Sequence, residues 1–250
     1  MSKKYTIFLD IDGTLLGPSG IPQENIEAIK RVRQEGHLVF LNTGRSYSFI
    51  PKEVMAVGWD GTVAAMGADV RYQDKVLRNF IFSQEELIWI TRYLYESGKS
   101  CNLEGPEETF IMNHTARKLE GIRISSHKDL LTLYPDSKIS IISVWNPMSD
   151  EERELFQDRY SCQEHDHYYE FTEKGSNKAV GMKIILEHLG LNKSNSIAIG
   201  DSMNDMDMLK YAGISVAMGN AVEAVKEVCE YITTSAEEGG VAEALNRLIP

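Results

Sequence analysis

Short apolar runs alternate with helical segments at both ends of this chain, and this alternation limits the fold more than any other feature. An apolar run that ends at Leu9 is followed by an amphipathic segment over 22–36 and by a second apolar run over 37–41. A strand, a helix and a strand at this spacing predict a right-handed βαβ unit with parallel strands. The chain therefore favours an α/β fold.

The C-terminal part repeats the alternation, whereas the middle of the chain does not. Strands are predicted over 196–199, 214–217 and 231–233, and helices over 178–189, 205–212 and 221–230. In the middle, a helix is predicted over 85–97, and isoleucine and serine alternate over 139–144, which indicates a sheet with one solvated face.

These patterns predict a Rossmann-like, doubly wound parallel sheet with an inserted α+β domain. The core is predicted to consist of residues 1–82 and 172–250, and the inserted domain of residues 83–171.

The charge balance excludes some partners. With 26 basic and 37 acidic side chains, the net charge of −11 argues against a nucleic acid partner. No apolar run reaches membrane-spanning length, and the N-terminus does not resemble a signal peptide. The three cysteines are too far apart to indicate a zinc site or a disulfide framework. We expect a cytoplasmic protein with no membrane partner.

Four groups of polar residues stand at the ends of the predicted core elements. Asp10 and Asp12 follow the first strand, Thr43 and its neighbours follow the second, Asp201 follows the strand over 196–199, and Lys178 begins a helix. If the first strand lies between the other two, all four groups face one crevice, where doubly wound sheets bind ligands. The aspartates offer hard oxygen ligands that suit Mg²⁺ and a substrate phosphate.

Four motifs in this order resemble those of the haloacid dehalogenase superfamily, and most closely its Cof-like, subfamily IIB phosphatases. They are Asp10-Ile-Asp12-Gly13-Thr14, Thr43-Gly44-Arg45, Lys178, and Gly200-Asp201-Ser-Met-Asn204-Asp205; the tail segments 213–221 and 238–242 also resemble that subfamily. The resemblance implies a Mg²⁺-dependent hydrolase that cleaves phosphomonoesters of small metabolites, such as sugar phosphates, through an aspartyl-phosphate intermediate.

The resemblance also implies a role for each matching residue. Asp10 would be the nucleophile and Asp12 the general acid and base, with Thr43 and Lys178 stabilising the transferred group. The phosphate would contact Asp12, Thr43, Gly44, Arg45, Lys178 and Asn204. The metal would be held by Asp10, by Asp12 through its backbone carbonyl, and by Asp201, with Asp205 behind them.

Simpler interpretations stay open for single residues. Thr43, Asp201 and Asp205 are also common helix caps or turn formers, and Arg45 could pair with a surface acid. Met66 stands where the subfamily usually has asparagine, so polar contacts near the cap entrance cannot be carried over from relatives.

Two rival functions remain. A phosphomutase would use the same aspartyl chemistry, and a non-catalytic phosphate sensor would keep the fold without turnover. The resemblance implies that the inserted α+β domain, residues 83–171, is a cap on which the substrate range depends, so it does not identify the substrate. It also implies hinge motion near Phe82 and Thr172, which would let a substrate enter and then exclude water. We expect a monomer or a weak homo-oligomer.

Overall fold

The computed structural model describes residues 3–113, 121–165 and 167–250, which form two compact units. The first, here called the core unit, comprises Met1–Gly44, Ile50–Arg78 and Asn177–Pro250. The second, here called the cap unit, comprises Arg45–Phe49 and Asn79–Ser176. The cap unit thus includes a short segment from the N-terminal part, besides the region predicted as an insertion. Phe82 and Thr172 both belong to the cap unit, and hinge motion near them stays a prediction.

The elements follow one another along the chain in three groups. The first comprises β1 (Thr6–Leu9), α1 (Gln23–Gln34), β2 (Leu38–Asn42), α2 (Lys52–Met55), β3 (Gly61–Ala64), β4 (Asp69–Tyr72) and β5 (Lys75–Asn79). The second comprises α3 (Gln84–Glu96), β6 (Cys101–Glu104), β7 (Thr109–Met112), β8 (Ile122–Ile124), α4 (Asp129–Leu133), β9 (Ile141–Val144), α5 (Asp150–Gln157), β10 (Tyr160–Glu164) and β11 (Tyr169–Glu173). The third comprises α6 (Lys178–Leu189), β12 (Ser196–Gly200), α7 (Met206–Tyr211), β13 (Ile214–Ala217), α8 (Glu223–Lys226), β14 (Tyr231–Ile232) and α9 (Gly240–Leu248).

The core sheet has the order β14-β13-β12-β1-β2-β3-β4-β5 within the described residues. Strand β1 lies between β12 and β2 and is parallel to both, with Leu9 opposite Ile199 on one side and Leu41 on the other. Because the strand order reverses at β1, this is the switch point of a doubly wound sheet. The predicted Rossmann-like α/β fold is confirmed, although β4 runs antiparallel to β3.

Two predicted helices are shorter than expected. Helix α8 ends at Lys226 instead of 230, since the chain turns so that the Glu230 amide donates to Ser215 Oγ and Tyr231 pairs with Val216. Helix α7 begins at Met206 after a single 3₁₀ turn over Met203–Asp205. Periodicity alone does not predict where tertiary hydrogen bonds end a helix.

The cap sheet has the order β10-β11-β9-β6-β7-β8. One face packs apolar side chains such as Leu103, Phe110 and Phe171 against helices α3 and α5. The opposite face carries Ser143 but also Ile141, because these residues lie two apart in β9 and therefore share a face. The predicted separation of isoleucine from serine is thus wrong, and so is the prediction that the face is solvated, since Ser143 is only 2% exposed. Segment 45–49 of the same unit covers it, since Ser48 Oγ donates to the Gly105 carbonyl.

Across the described ranges, no helix combines the length and the hydropathy that crossing a membrane requires.

Candidate active site

The carboxyl ends of β1 and β12 bring the first acidic residues together. Asp10 follows β1 directly, is 4% exposed, and donates its amide to the Ile199 carbonyl at 3.1 Å. This bond extends the β1–β12 ladder by one residue. Asp10 therefore lies beside Gly200, and Asp201 follows at the same edge of the sheet, as predicted from the two sequence motifs.

Lys178 is the centre of the site. It is the first residue of α6, after an Asn177 side chain that caps the helix by accepting from the Val180 amide. Its fully buried ammonium donates to Asp10 Oδ1 at 2.7 Å, to Asn204 Oδ1 at 2.9 Å and to Asp205 Oδ1 at 2.6 Å. An ammonium has three hydrogens, so all its donors are used.

The two carboxylates keep this lysine charged. Burial opposes the charge, but Asp10 and Asp205 hold the pKa of Lys178 above its ordinary value. A helix N-terminus disfavours a cation, so the position is explained by these acids and not by the helix.

Asp205 anchors the loop that carries Asp201. Its Oδ2 accepts from the backbone amides of Asp201 at 2.9 Å and Ser202 at 3.0 Å, while its Oδ1 binds Lys178. Gly200 makes room for this carboxylate, since a Cβ there would lie 2.5 Å from Asp205 Cγ. The fully buried Asp205 thus fixes both the loop and the lysine.

Asp201 is positioned by residues to which the motifs assigned no role. Thr14 Oγ1 donates to Asp201 Oδ1 at 3.0 Å. Asn220 donates to the Gly13 carbonyl at 2.8 Å and accepts from the Ala236 amide at 2.8 Å, which ties the turn after β1 to the C-terminal part of the core. Gly13 has φ +80°, and a Cβ there would lie 2.4 Å from Asp201 Oδ2. Thr14 lies in the first motif and Asn220 in the tail segment 213–221, both of which resemble the family. Their place in these segments could have indicated that they contribute to the site.

The acids fit a divalent cation. Oxygens of Asp10, Asp201 and Asp205 lie within 4.8 Å of one another. Burial, and next the charge of Asp205, raise the pKa of Asp10 well above its ordinary value. The same two causes raise the pKa of Asp201 to about 6. Lys178 supplies one positive charge to three carboxylates, so the remaining negative charge and the hard oxygens suit an ion such as Mg²⁺.

Asp12, Thr43 and Gly44 border this group. The Asp12 side chain is exposed, and its charge contributes to the raised pKa of Asp201. Its carboxylate does not belong to the cluster of Asp10, Asp201 and Asp205, although the role predicted for it as a ligand uses the backbone carbonyl. Thr43 comes directly after β2, is 1% exposed, and donates its amide to the Val63 carbonyl at 2.8 Å. Gly44 is the last residue of this stretch of the core unit.

Arg45 belongs to the cap unit, unlike the other predicted site residues. Its guanidinium donates to the Phe49 carbonyl at 3.1 Å and lies 5.5 Å from the centre of the Phe49 ring. Both of these contacts with Phe49 are internal to segment 45–49.

Met66, which replaces the usual asparagine, lies in a turn beside Thr43. It has φ 53° and ψ 36°, and its amide donates to the Thr43 carbonyl at 3.3 Å. This left-handed conformation suits asparagine better than methionine. The backbone contact to Thr43 is therefore kept at a conformational cost.

The chain belongs to the haloacid dehalogenase-like hydrolase family, whose sequence profile matches residues 7–245. It is 29% identical over 98% of its length to 97% of the 5-amino-6-(5-phospho-D-ribitylamino)uracil phosphatase YitU of Bacillus subtilis strain 168. It is 26% identical over 97% of its length to 98% of the phosphoglycolate phosphatase of Methanothermobacter thermautotrophicus. A subclass IIB sugar phosphatase of known structure shares its fold, with a TM-score of 0.83, 23% identity, and coverage of 98% of this chain and 99% of that one.

These similarities confirm the predicted family and the predicted enzyme class. The protein is a hydrolase of the phosphatase type, with the fold of the subclass IIB members.

Proposed function

We propose that the protein is a Mg²⁺-dependent phosphatase that hydrolyses phosphomonoesters of small metabolites through an aspartyl-phosphate. The observation that carries the proposal is the buried Lys178 ammonium, which donates to Asp10 and Asp205 at the edge of the sheet where Asp201 also lies. Lys178 both fixes Asp10 and places positive charge beside it, and phosphoryl transfer depends on positioning and on charge stabilisation.

Asp10 is suited to nucleophilic attack on phosphorus. Lys178 holds its Oδ1, which fixes the carboxylate, and the positive charge at 2.7 Å favours the ionised, nucleophilic form. The same ammonium would also stabilise the charge on the equatorial oxygens of the transferred group. Thr43, Gly44, Arg45 and Asn204 stay the predicted contacts of the phosphate.

Asp12 is proposed as the general acid and base. Its exposed side chain, two residues beyond Asp10, can give a proton to the leaving alkoxide and accept one from the attacking water. Hydrolysis then releases phosphate and returns Asp10 to its free carboxylate.

Asp10 and Asp201 are the proposed side-chain ligands of Mg²⁺, together with the Asp12 backbone carbonyl. Both oxygens of Asp205 already accept hydrogen bonds from Lys178 and two backbone amides, so this residue supports the ligands from behind. The ion would add positive charge that neutralises the phosphate and the acids.

The names of the relatives support a small phosphorylated metabolite as substrate. They include a phosphatase of a phosphoribityl-aminouracil, a phosphoglycolate phosphatase and a sugar phosphatase. The cytoplasmic location and the monomeric or weakly associated state stay predictions.

Phosphate release from a panel of sugar and polyol phosphates tests the proposal. We expect release with Mg²⁺, none with EDTA, and a loss of at least about 10⁴-fold in Asp10→Asn, because the nucleophile is gone. Asp207→Asn is a matched control, since Asp207 is an exposed aspartate of α7. Isomerised sugar phosphate with little free phosphate would instead indicate a mutase. Equal, negligible release by wild type and Asp10→Asn would indicate a sensor.

A further inference from the structure

The core unit buries a polar side chain beside the nucleophile, and the proposed mechanism gives this side chain no role. Asn42, the last residue of β2, is 0% exposed. Leu9 of β1 pairs with Leu41 of β2, so Asp10 and Asn42 come next, side by side at the carboxyl ends of the two parallel strands. Residues that are opposite each other in parallel strands point to the same face of the sheet. Asn42 and Asp10 therefore share a face.

Helix α6 packs on that face of the sheet. Val63 of β3 is opposite Asn42, and a Cβ at Gly181 would lie only 2.1 Å from Val63 Cγ1. Glycine at this position lets the helix approach the sheet closely. Gly181 comes three residues after Lys178, which is about one helical turn. The packing thus brings the start of the helix over the carboxyl end of β2.

The side-chain amide of Asn42 holds the first residue of α6. Its Nδ2 donates to the Lys178 carbonyl at 3.2 Å and to Met208 Sδ at 3.3 Å. These partners determine the orientation of the amide, because the reverse orientation would place Oδ1 against the Lys178 carbonyl oxygen. Met208 belongs to α7, which follows the loop that carries Asp201. One amide thus connects β2 with the starts of α6 and α7.

These contacts close a ring around the nucleophile. Asn42 lies beside Asp10 in the sheet and donates to the Lys178 backbone, and the Lys178 ammonium donates to Asp10 Oδ1 at 2.7 Å. The lysine is therefore held at both ends, by its carbonyl and by its ammonium. A lysine side chain is a flexible four-carbon stem. The place of the Lys178 backbone therefore decides how well the ammonium reaches its acceptors.

Asn42 is an unfavourable residue for stability at this position. Asparagine is depleted in strands. The Oδ1 atom of Asn42 is buried and has no hydrogen-bond partner among the residues that the structure describes. A buried acceptor that is left unpaired is costly, whereas an apolar side chain of similar shape would avoid that cost. The burial of this amide is thus better explained by a role in the site than by a role in stability.

We propose that Asn42 is a positioning residue for phosphoryl transfer, which fixes the Lys178 backbone so that the ammonium meets Asp10 and the transferred group. The inference rests on the proposed function. Asn42 is fully buried, so it acts through Lys178 and not on the substrate. The lysine charge acts chiefly on charge that develops in the transition state. Loss of the Asn42 contact should therefore lower kcat and leave KM nearly unchanged.

Asn42→Leu tests this role, since leucine branches at the same carbon and cannot donate a hydrogen bond. We expect kcat for phosphate release to fall about 10–100-fold, as a small displacement of a catalytic group produces. KM should stay within about twofold of wild type. The melting temperature should stay within about 2–4 °C, because the variant also removes the unpaired oxygen. Asn42→Ala, which adds no volume, should show the same split between kcat and KM and decides if Asn42→Leu does not fold.

Asn25→Leu is the matched control. Asn25 is also fully buried in the core unit, where its Oδ1 accepts from the Ala242 amide at 2.8 Å. The substitution leaves that amide without its acceptor, so we expect the melting temperature to fall and kcat to stay unchanged. The two variants therefore distinguish an asparagine that supports the fold from one that positions a catalytic group.

Labelling of Lys178 with acetic anhydride, measured by mass spectrometry, provides a readout that does not need turnover. In wild type, the ammonium is fully buried and donates to three acceptors, which should protect it. Labelling should become several-fold faster in Asn42→Leu, because the first turn of α6 has lost its anchor. Asn25→Leu should label like wild type.

Unchanged kcat in folded Asn42→Leu and Asn42→Ala would overturn the inference. A fall in kcat with unchanged labelling of Lys178 would overturn it as well, since Asn42 would then act by another route. If wild type with Mg²⁺ releases phosphate from no substrate of the panel, the phosphatase proposal fails. The labelling rates then decide by themselves whether Asn42 positions Lys178.

Discussion

Two of the places where this protein buries acidic side chains compensate them differently. In the core unit, Asp10 and Asp205 share the ammonium of Lys178, and Asp201 stands beside them. In the cap unit, Glu104 accepts hydrogen bonds from Ser46 and Ser143, and the charge of Glu170 contributes to its raised pKa. The first cluster has its own cation, whereas the second has hydroxyls.

Burial raises carboxyl pKa values in both clusters, but only the core cluster has a cation that opposes the rise. The ammonium of Lys178 favours the ionised form of Asp10, although burial and the charge of Asp205 still hold its pKa well above its ordinary value. Glu104 has only hydroxyl and amide donors to favour its charged form, and its pKa is raised to about 7. The following experiments perturb the two clusters in turn and then compare them.

Removal of the lysine should have the largest effect. Lys178→Met leaves Asp10 and Asp205 buried without their cation, so we expect a loss of about 3–5 kcal/mol in the free energy of unfolding in urea. Turnover should fall by at least about 10²–10³-fold as well. Lys183→Met, on the exposed side of the same helix, should change the free energy of unfolding by no more than about 0.5 kcal/mol and should leave turnover unchanged. A stability of Lys178→Met equal to that of wild type would show that the core acids need no cation.

Glu104 of the cap cluster should make the free energy of unfolding depend on pH. The pKa of Glu104 is about 7 in the folded protein and 4.5 ordinarily, so the folded state holds this proton more tightly. Its contribution to stability is therefore fully present below about pH 4.5 and is lost as the pH rises through about 7. Relative to Glu104→Gln, we expect wild type to lose up to about 3 kcal/mol of unfolding free energy between pH 5 and 8.

Urea titrations of both proteins at several pH values, without metal, measure this difference. Asp10 and Asp201 titrate in both proteins, so the comparison isolates Glu104. Parallel stability curves for wild type and Glu104→Gln would show that the cap carboxylate is already compensated.

Metal binding should stabilise one cluster only, and this is the smallest expected effect. Mg²⁺ at a hundredfold excess over its dissociation constant should add about 2.7 kcal/mol to the unfolding free energy. Asp201→Asn should lose most of this gain, since it removes a proposed ligand, whereas Glu104→Gln should keep it. The melting temperature with and without Mg²⁺ measures both. A gain that disappears in Glu104→Gln instead would place the ion in the cap unit.

The sequence predicted the core cluster well because local rules cover it. Apolar runs that end in aspartate, together with the switch point of a doubly wound sheet, predicted that Asp10, Asp201 and Lys178 meet. In the structure, Lys178 donates to Asp10 and Asp205, and an Asp201 oxygen lies within 4.8 Å of theirs. The predicted catalytic and metal roles of these residues stay predictions, as the experiments above have yet to test them.

The cap cluster could not be predicted in the same way. Glu104 and Ser46 are 58 residues apart, and no spacing rule links a loop after β2 to the end of β6. The alternation over 139–144 predicted a polar face but also predicted that water covers it. Whether a polar face is solvated depends on which distant segment packs on it, here Arg45–Phe49.

By itself the sequence determined the fold class, the family and the positions of the motif residues, because strand and helix periodicity and strand-end chemistry are local properties. Only the tertiary structure decided how charge is compensated. It provides the three hydrogen bonds of Lys178, the contacts of Thr14 and Asn220 around Asp201, and the burial of Glu104 beneath the hydroxyls of Ser46 and Ser143. The physical reason is that the pKa of a carboxyl group depends on burial and on the charges near it, which strands far apart in sequence supply.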